Sequence, residues 1–265
     1  MPPRGTLTAL HPAFRICQTT SLSSTNNFQS RIITKHINPT KLHSRCFTPT
    51  TKMTLPKIQE PAITRVSELP TSEAKWITLQ KVEYVDQTGK PRTWEVASRK
   101  TRAAASGVDA VAVGNILLHP TKPPSTLIVI QYRPPLDAYT VEWPAGLIDE
   151  GESVEEAAVR EFKEETGFTV TKVLDTSPVQ AADPGLSNAN MKMVLVEVEL
   201  PAGEDGELPE QRLEDGEHIQ RVIVPLSEFY DRLVEYSKQE RFVVAAKLFH
   251  FAAGMQFMKT QKYGL

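Results

Sequence analysis

Glu161 and Glu165 stand one helical turn apart with Glu164 between them, in a stretch whose neighbours are residues of the kind that fill cores. The stretch runs from Gly146 to Phe168. Ser153 and Glu156 have the spacing of a capping box, and Gly167 suits a C-terminal cap. No proline or glycine lies between them, so residues 154 to 166 are predicted to be a helix. At about 100° per residue, Val154, Ala157, Ala158 and Phe162 form one apolar stripe. Glu161 and Glu165 fall inside it and Glu164 at its edge, while Glu155, Glu156, Arg160 and Lys163 occupy the other side. Like charges held together and partly shielded from water repel, and each loses hydration worth several kcal/mol unless a positive charge compensates. A hard divalent cation does this. Carboxylate oxygens with no His or Cys nearby suit magnesium or manganese better than zinc. The bland alternative is a surface helix with solvated glutamates. Residues 143 to 151, with a proline and two glycines among acids, are predicted to be a loop that brings backbone close to a ligand.

Gly146, Glu152, Arg160, Glu161, Phe162, Glu164, Glu165, Gly167 and Phe168 fill every defined position of G-x5-E-x7-R-E-U-x-E-E-x-G-U, so the segment resembles the Nudix box. That family hydrolyses nucleoside diphosphates linked to another moiety. The resemblance implies that Glu161, Glu164 and Glu165 bind metal with help from the Ala145 carbonyl, and that Glu152 and Arg160 tie loop to helix. It also implies an α/β fold, the Nudix α/β/α sandwich with a mixed sheet.

The elements that must position these residues are legible in part. Trp76 to Val85, a turn at Gln87 to Lys90, and Arg92 to Ser98 are predicted to form a hairpin. Apolar runs at Val108 to Leu118, Leu127 to Tyr132, Tyr139 to Trp143 and Met191 to Leu200 follow, then a polar loop at Pro201 to Gly216 and a strand near His218 to Val224. Helices are predicted near Leu226 to Lys238 and Arg241 to Met258, the latter with Val244, Leu248, Phe251 and Met255 at core spacing. Strands with helices on both sides suggest the same α/β/α layering.

Over residues 74 to 258 the likeness narrows to the ADP-sugar pyrophosphatase branch, in its dimeric eukaryotic form acting on ADP-ribose. Lys75-Trp76-Ile77, Arg92 to Glu95, Gln131 to Pro135, Glu142 to Gly146, Asp183 to Asn188 and Asp215-Gly216-Glu217 carry it. By that likeness Trp76 and Trp94 sandwich the adenine, one from each subunit of a homodimer that exchanges N-terminal strands. The bland reading is that the two tryptophans only pack the hairpin. The likeness also puts Arg99 and Arg133 near the diphosphate, whose oxygens suit a guanidinium fork. Glu217 matches a general base on a mobile loop. The expected products are AMP and ribose 5-phosphate. Oxidised nucleoside diphosphates or dinucleotides are the alternative substrates, and a non-catalytic ADP-ribose sensor is the reading from another class.

Residues 1 to 59 carry eight Lys or Arg and no acid, which leaves 22 basic against 32 acidic residues in the remainder. Residues 1 to 52, rich in Ser and Thr with Arg4, Arg15, Arg31 and Arg45, have the composition of a mitochondrial transit peptide. The alternatives are a disordered tail, or a start at Met53 that leaves the protein in cytoplasm and nucleus. Both cysteines, Cys17 and Cys46, lie in this leader, so the rest has no thiol chemistry. The expected organisation is leader 1–52, linker 53–73, hairpin and dimerisation region 74–106, and hydrolase domain 107–260. An acidic folded part without a basic stripe argues against nucleic acid. No run of apolar residues reaches membrane-spanning length.

Overall fold

The computed structural model describes residues 59–202 and 208–261. The leader 1–52 with Cys17 and Cys46, most of the linker's start, and residues 203–207 of the polar loop lie outside the described residues.

In chain order the strands are β1 (Ile77–Val85), β2 (Pro91–Arg99), β3 (Ala110–Leu118), β4 (Ser125–Arg133), β5 (Ala138–Glu142) and β6 (Ala145–Leu147). There follow helix α1 (Val154–Thr166), strands β7 (Lys172–Thr176), β8 (Gln180–Ala181), β9 (Asn190–Glu199) and β10 (Ile219–Pro225), then α2 (Phe229–Tyr236), β11 (Phe242–Val244) and α3 (Ala246–Thr260). β1 and β2 form the expected hairpin, a two-stranded sheet of its own. The other nine strands make one mixed sheet, in which β3 pairs parallel with β9 and β11 parallel with β5, while β4 runs antiparallel to β5 and β10.

The layers follow from alternation along β4. Leu127 and Val129 point into a core with Ala157, Ala158 and Phe162 of α1, whereas Ile128 and Ile130 point into a second core with Phe229 and Leu233 of α2 and Leu248 of α3. Helices therefore cover both faces, which is the α/β/α sandwich expected. Among the described residues no helix is long and apolar enough to cross a membrane.

One irregularity shapes the site. The ladder between β3 and β4 reduces to Leu117 opposite Ser125. Asn115, buried between them, takes over: its amide donates to the carbonyls of Val113 and Leu127, and its oxygen accepts the Leu127 N–H at 2.7 Å. From Val129 on, β4 pairs with β5, and the stretch of β3 left open pairs with β6, Ala110 to Ala112 against Leu147 to Ala145.

Three expectations need correction. Residues 145 to 147 are strand rather than loop, because β3 offers them an open edge. The helix expected from Arg241 begins only at Ala246 and extends to Thr260. Arg241 takes a left-handed conformation with φ 59°, and Phe242–Val244 pairs with β5, since a β-branched run beside an open edge favours strand. The helix expected over Leu226 to Lys238 is shorter, Phe229–Tyr236. β7 and β8 have no counterpart in the sequence reading.

The hairpin touches the rest of the protein through Ala97, whose N–H donates to the Leu186 carbonyl at 3.0 Å, and through Trp94, whose indole N–H donates to the Gly185 carbonyl at 3.2 Å. Leu79, Val82, Tyr84, Val85, Trp76 and Trp94 remain exposed on it. A two-stranded ribbon is marginal alone, so this much open apolar surface calls for cover.

Candidate active site

Helix α1 begins and ends where its caps say. The Ser153 hydroxyl accepts the Glu156 N–H, the Glu156 carboxylate accepts the Ser153 N–H, and Gly167 closes the helix at φ 76° with its N–H on the Lys163 carbonyl. Fixed this way, the helix turns Glu161 and Glu165 toward β6. A β-carbon on Gly146 would lie 1.9 Å from the Glu161 carboxyl carbon, so only glycine admits that carboxylate. Glu165 is 6% exposed, and its carboxylate accepts the Ala145 N–H at 3.2 Å.

Burial pushes the Glu165 carboxyl up to about 8, against the Ala145 amide and Arg133, with Glu161 and Glu217 adding repulsion. Glu161 is raised as well, by burial first, although Arg160 draws it down. Arg160 is embedded in this group of acids. Its guanidinium meets Glu152 at 2.8 Å, Glu161 at 2.8 Å and Glu164 at 3.2 Å, and donates to the Leu147 carbonyl at 3.0 Å. Glu152 is held below the usual carboxylate range, chiefly by that bond. The Glu152 to Arg160 link across the loop and the helix is therefore present as expected, though Arg160 turns toward the carboxylates rather than to the far side.

Glu217 reaches the same place from a distant part of the chain. The strand of loop before it lies over the end of α1, whose last carbonyls need partners. Arg212 N–H bonds to the Glu164 carbonyl at 2.8 Å, the Gln211 amide to the Glu165 carbonyl at 2.6 Å, and Arg221 to the Thr166 carbonyl at 2.6 Å. Glu217 then closes a short turn by accepting the Glu214 N–H at 3.1 Å, with Gly216 at φ 84°. Gln211, Arg212 and Arg221 were not anticipated, and no local pattern announces them.

The donors present fit a hard divalent cation: carboxylates of which Glu161 and Glu165 are raised by burial first and by one another's charge after it, and a backbone carbonyl at Ala145, all of them oxygen. As the side chains stand, no three acids among the described residues converge on one ion position, because Glu161 and Glu164 turn to Arg160. Glu161, Glu164, Glu165 and Ala145 are thus neighbours without forming a cage.

On the β4 and β5 side, Arg133 donates through Nε to Glu142 at 2.9 Å, and the Thr140 hydroxyl also bonds this carboxylate. Burial would raise Glu142, but Arg133, Thr140 and Lys247 hold it below the usual range. Glu142 was not singled out from the sequence. Arg99 ends β2, and its charge reaches Asp109 and Lys247. Trp76 and Trp94 are 65% and 52% exposed. Trp94 lies opposite Val82, six residues along from Trp76. At about 3.3 Å per residue the two indoles are anchored roughly 20 Å apart, too far to close on one base within a single chain.

The NUDIX domain family model matches residues 108–245. An uncharacterized Nudix hydrolase of Schizosaccharomyces pombe is 41% identical over 74% of this chain and 94% of its own length. The ADP-ribose pyrophosphatase of Saccharomyces cerevisiae is 40% identical over 71% of this chain and 80% of its length. The ADP-sugar pyrophosphatase of Mus musculus is 36% identical over 74% and 89%.

Proposed function

We propose, on the premise that this chain belongs to the NUDIX domain family and is a Nudix hydrolase, that it cleaves the diphosphate of ADP-ribose and related ADP-sugars to AMP and a sugar phosphate, ribose 5-phosphate in the case of ADP-ribose. The observation that carries the reading is the set of carboxylates drawn together by α1 and β6 beside a glycine where any side chain would displace the Glu161 carboxylate. The names of relatives at 36% and 40% identity support the substrate.

A divalent cation, magnesium or manganese, would be held by Glu161, Glu164, Glu165 and the Ala145 carbonyl and would neutralise the diphosphate and activate a water. The chain's own residues do the rest. Arg160 keeps α1 joined to its preceding loop through Glu152, so the carboxylates keep their spacing. Glu217 takes the proton of the attacking water as the new P–O bond forms and the bridging oxygen leaves with the other phosphate. Arg133 and Arg99 offer guanidinium nitrogens to the phosphate oxygens. The indoles of Trp76 and Trp94 stack on the adenine, each contact contributing about 1–3 kcal/mol.

The separation of those indoles along one hairpin fits a homodimer in which each copy supplies one of the two. The exposed apolar residues of β1 and β2 give such a partner surface to cover. The acid-free leader would carry the protein to mitochondria.

The full chain, incubated with magnesium and a panel of ADP-ribose, another ADP-sugar, a dinucleotide and an oxidised nucleoside diphosphate, tests the reading by chromatography of the products. AMP with ribose 5-phosphate from ADP-ribose at the highest kcat/KM of the panel is expected. A preference of more than about tenfold for a compound that is not an ADP-sugar would overturn it.

A further inference from the structure

Val244 of β11 stands opposite Val141 of β5, and the Ala245 N–H donates to the Val141 carbonyl at 3.0 Å. This register delivers the first turn of α3 beside the junction of β5 and β6. Lys247 consequently lines one narrow crevice together with Glu142, Trp143 and Ala145. It lies two residues past the stretch that the NUDIX family model covers, residues 108–245, and none of the roles above requires it.

Glu142 organises the crevice. Its side chain is 17% exposed, and Arg133 approaches it sideways through Nε at 2.9 Å. That approach leaves the two terminal guanidinium nitrogens of Arg133 with no hydrogen bond among the described residues. The charge of Lys247 also acts on Glu142, and no hydrogen bond or close ion pair to its ammonium is found among the described residues. Lys247 is open to solvent as a whole residue and lines the crevice; burial there is the main influence lowering its pKa, Glu142 pulls the other way, and Arg133 and Arg99 add to the lowering. Two cations, Arg133 and Lys247, thus share one half-buried carboxylate, and the charge of Arg99 acts on Lys247 as well. Excess positive charge in a partly desolvated crevice is unfavourable until an anion joins it.

The Ala145 end of that crevice is where the metal-bound diphosphate belongs if the preceding reading holds, and the inference rests on that reading. We propose that Lys247 is a further substrate-contacting residue, its ammonium binding a diphosphate oxygen next to Arg133, and that Glu142 is the positioning residue that aims both cations. The bland alternative makes Lys247 the resting counter-ion of Glu142, with no part in binding.

Lys247→Met keeps the stem and removes the charge, Lys247→Arg keeps the charge, and Glu142→Gln removes the anchor. Each variant is compared with the wild-type full chain by calorimetric binding of ADP-ribose in EDTA, by steady-state hydrolysis with magnesium, and by thermal denaturation. Lys247→Met is expected to raise Kd and KM about tenfold with kcat within about threefold, as loss of a contact made equally in ground and transition states requires. Lys247→Arg should recover most of the affinity. Glu142→Gln should raise KM while kcat also falls, because Arg133 loses its aim. A folded Lys247→Met with unchanged Kd and KM overturns the proposal, and so does a variant that loses stability and kcat at constant KM. If wild-type protein leaves ADP-ribose intact but cleaves another diphosphate of the panel, the substrate reading fails alone and Lys247 is judged on that compound. If no diphosphate is bound or cleaved, both fail.

Discussion

Replacing Gly146 by alanine separates the site from the fold. The three atoms that a new β-carbon would meet are the carboxyl carbon and both oxygens of Glu161, at 1.9, 2.0 and 2.2 Å, all at the far end of a flexible side chain. Gly146 is not in the left-handed region, and its strand partner is Val111, so the backbone accepts alanine. The strain falls on Glu161 alone. To restore a carbon separation of about 3.5 Å the carboxylate must retreat by roughly 1.6 Å. A displacement of about 1 Å in a catalytic group is worth about 100-fold in rate. Gly146→Ala should therefore lower kcat for ADP-ribose by on the order of 100-fold or more, about 2.7 kcal/mol of barrier. Its melting temperature should stay within a few degrees of wild type. AMP release at saturating magnesium and a thermal melt of the same preparation give both numbers. A variant with kcat within threefold of wild type would mean that Glu161 does not act from the place beside Gly146, and the proposed metal set would lose a member.

Glu165→Gln keeps the shape of the side chain and the Ala145 contact while removing the carboxylate that a cation would bind, and hydrolysis should fall about 100-fold or more with the fold retained, as read by activity and circular dichroism. Trp94→Ala should raise KM for ADP-ribose about tenfold, roughly 1.4 kcal/mol; a fall in melting temperature at constant KM would make Trp94 a packing residue tied to Gly185. Asp109, 1% exposed, holds Arg102 by two bonds of 2.8 and 2.9 Å and accepts the Asn190 N–H; burial raises its pKa, but these partners outweigh burial and depress it. Its stabilisation is complete above the unfolded carboxyl value, about 3.9, and is lost as pH falls through the lower folded value. Asp109→Asn should thus cost about 3 kcal/mol at pH 7, and the gap in melting temperature to wild type should close on acidification; a gap independent of pH would assign the loss to packing. Residues 1 to 52 fused to a fluorescent reporter should direct it to mitochondria, and a diffuse reporter would refute import.

What was legible in the sequence is what short-range chemistry decides. Ser153, Glu156 and Gly167 act within four residues of their partners, so the limits of α1 and the clustering of Glu161 with Glu165 follow from spacing. β6 was not legible, because nothing in Ala145-Gly146-Leu147 favours a strand; it pairs because β4 turns to β5 from Val129 on, with Asn115 wedged between β3 and β4, and leaves the edge of β3 open. The same holds for β11. Phe242 to Val244 continues an apolar helical pattern, and only the edge of β5, about 100 residues earlier, makes it a strand. The consequence for the site is direct. Helix periodicity predicts that the carboxylates share a face, but their close packing on a glycine, the burial that lifts Glu165, and the arrival of Glu217 and Lys247 all depend on pairings between distant segments. A change in Asn115, which touches none of the acids, should therefore disturb catalysis through β6. Asn115→Leu removes the acceptor of the Leu127 N–H and the donor to its carbonyl, leaving both buried without partners at about 1–3 kcal/mol each. The strand can recover those bonds only by shifting β4 against β3, the strand whose Ala110 to Ala112 hold β6. Loss of activity beyond the loss of stability, seen as a lower kcat in the folded fraction, is the expected result; activity that tracks the folded fraction alone would show that β6 keeps Gly146 in place without the wedge.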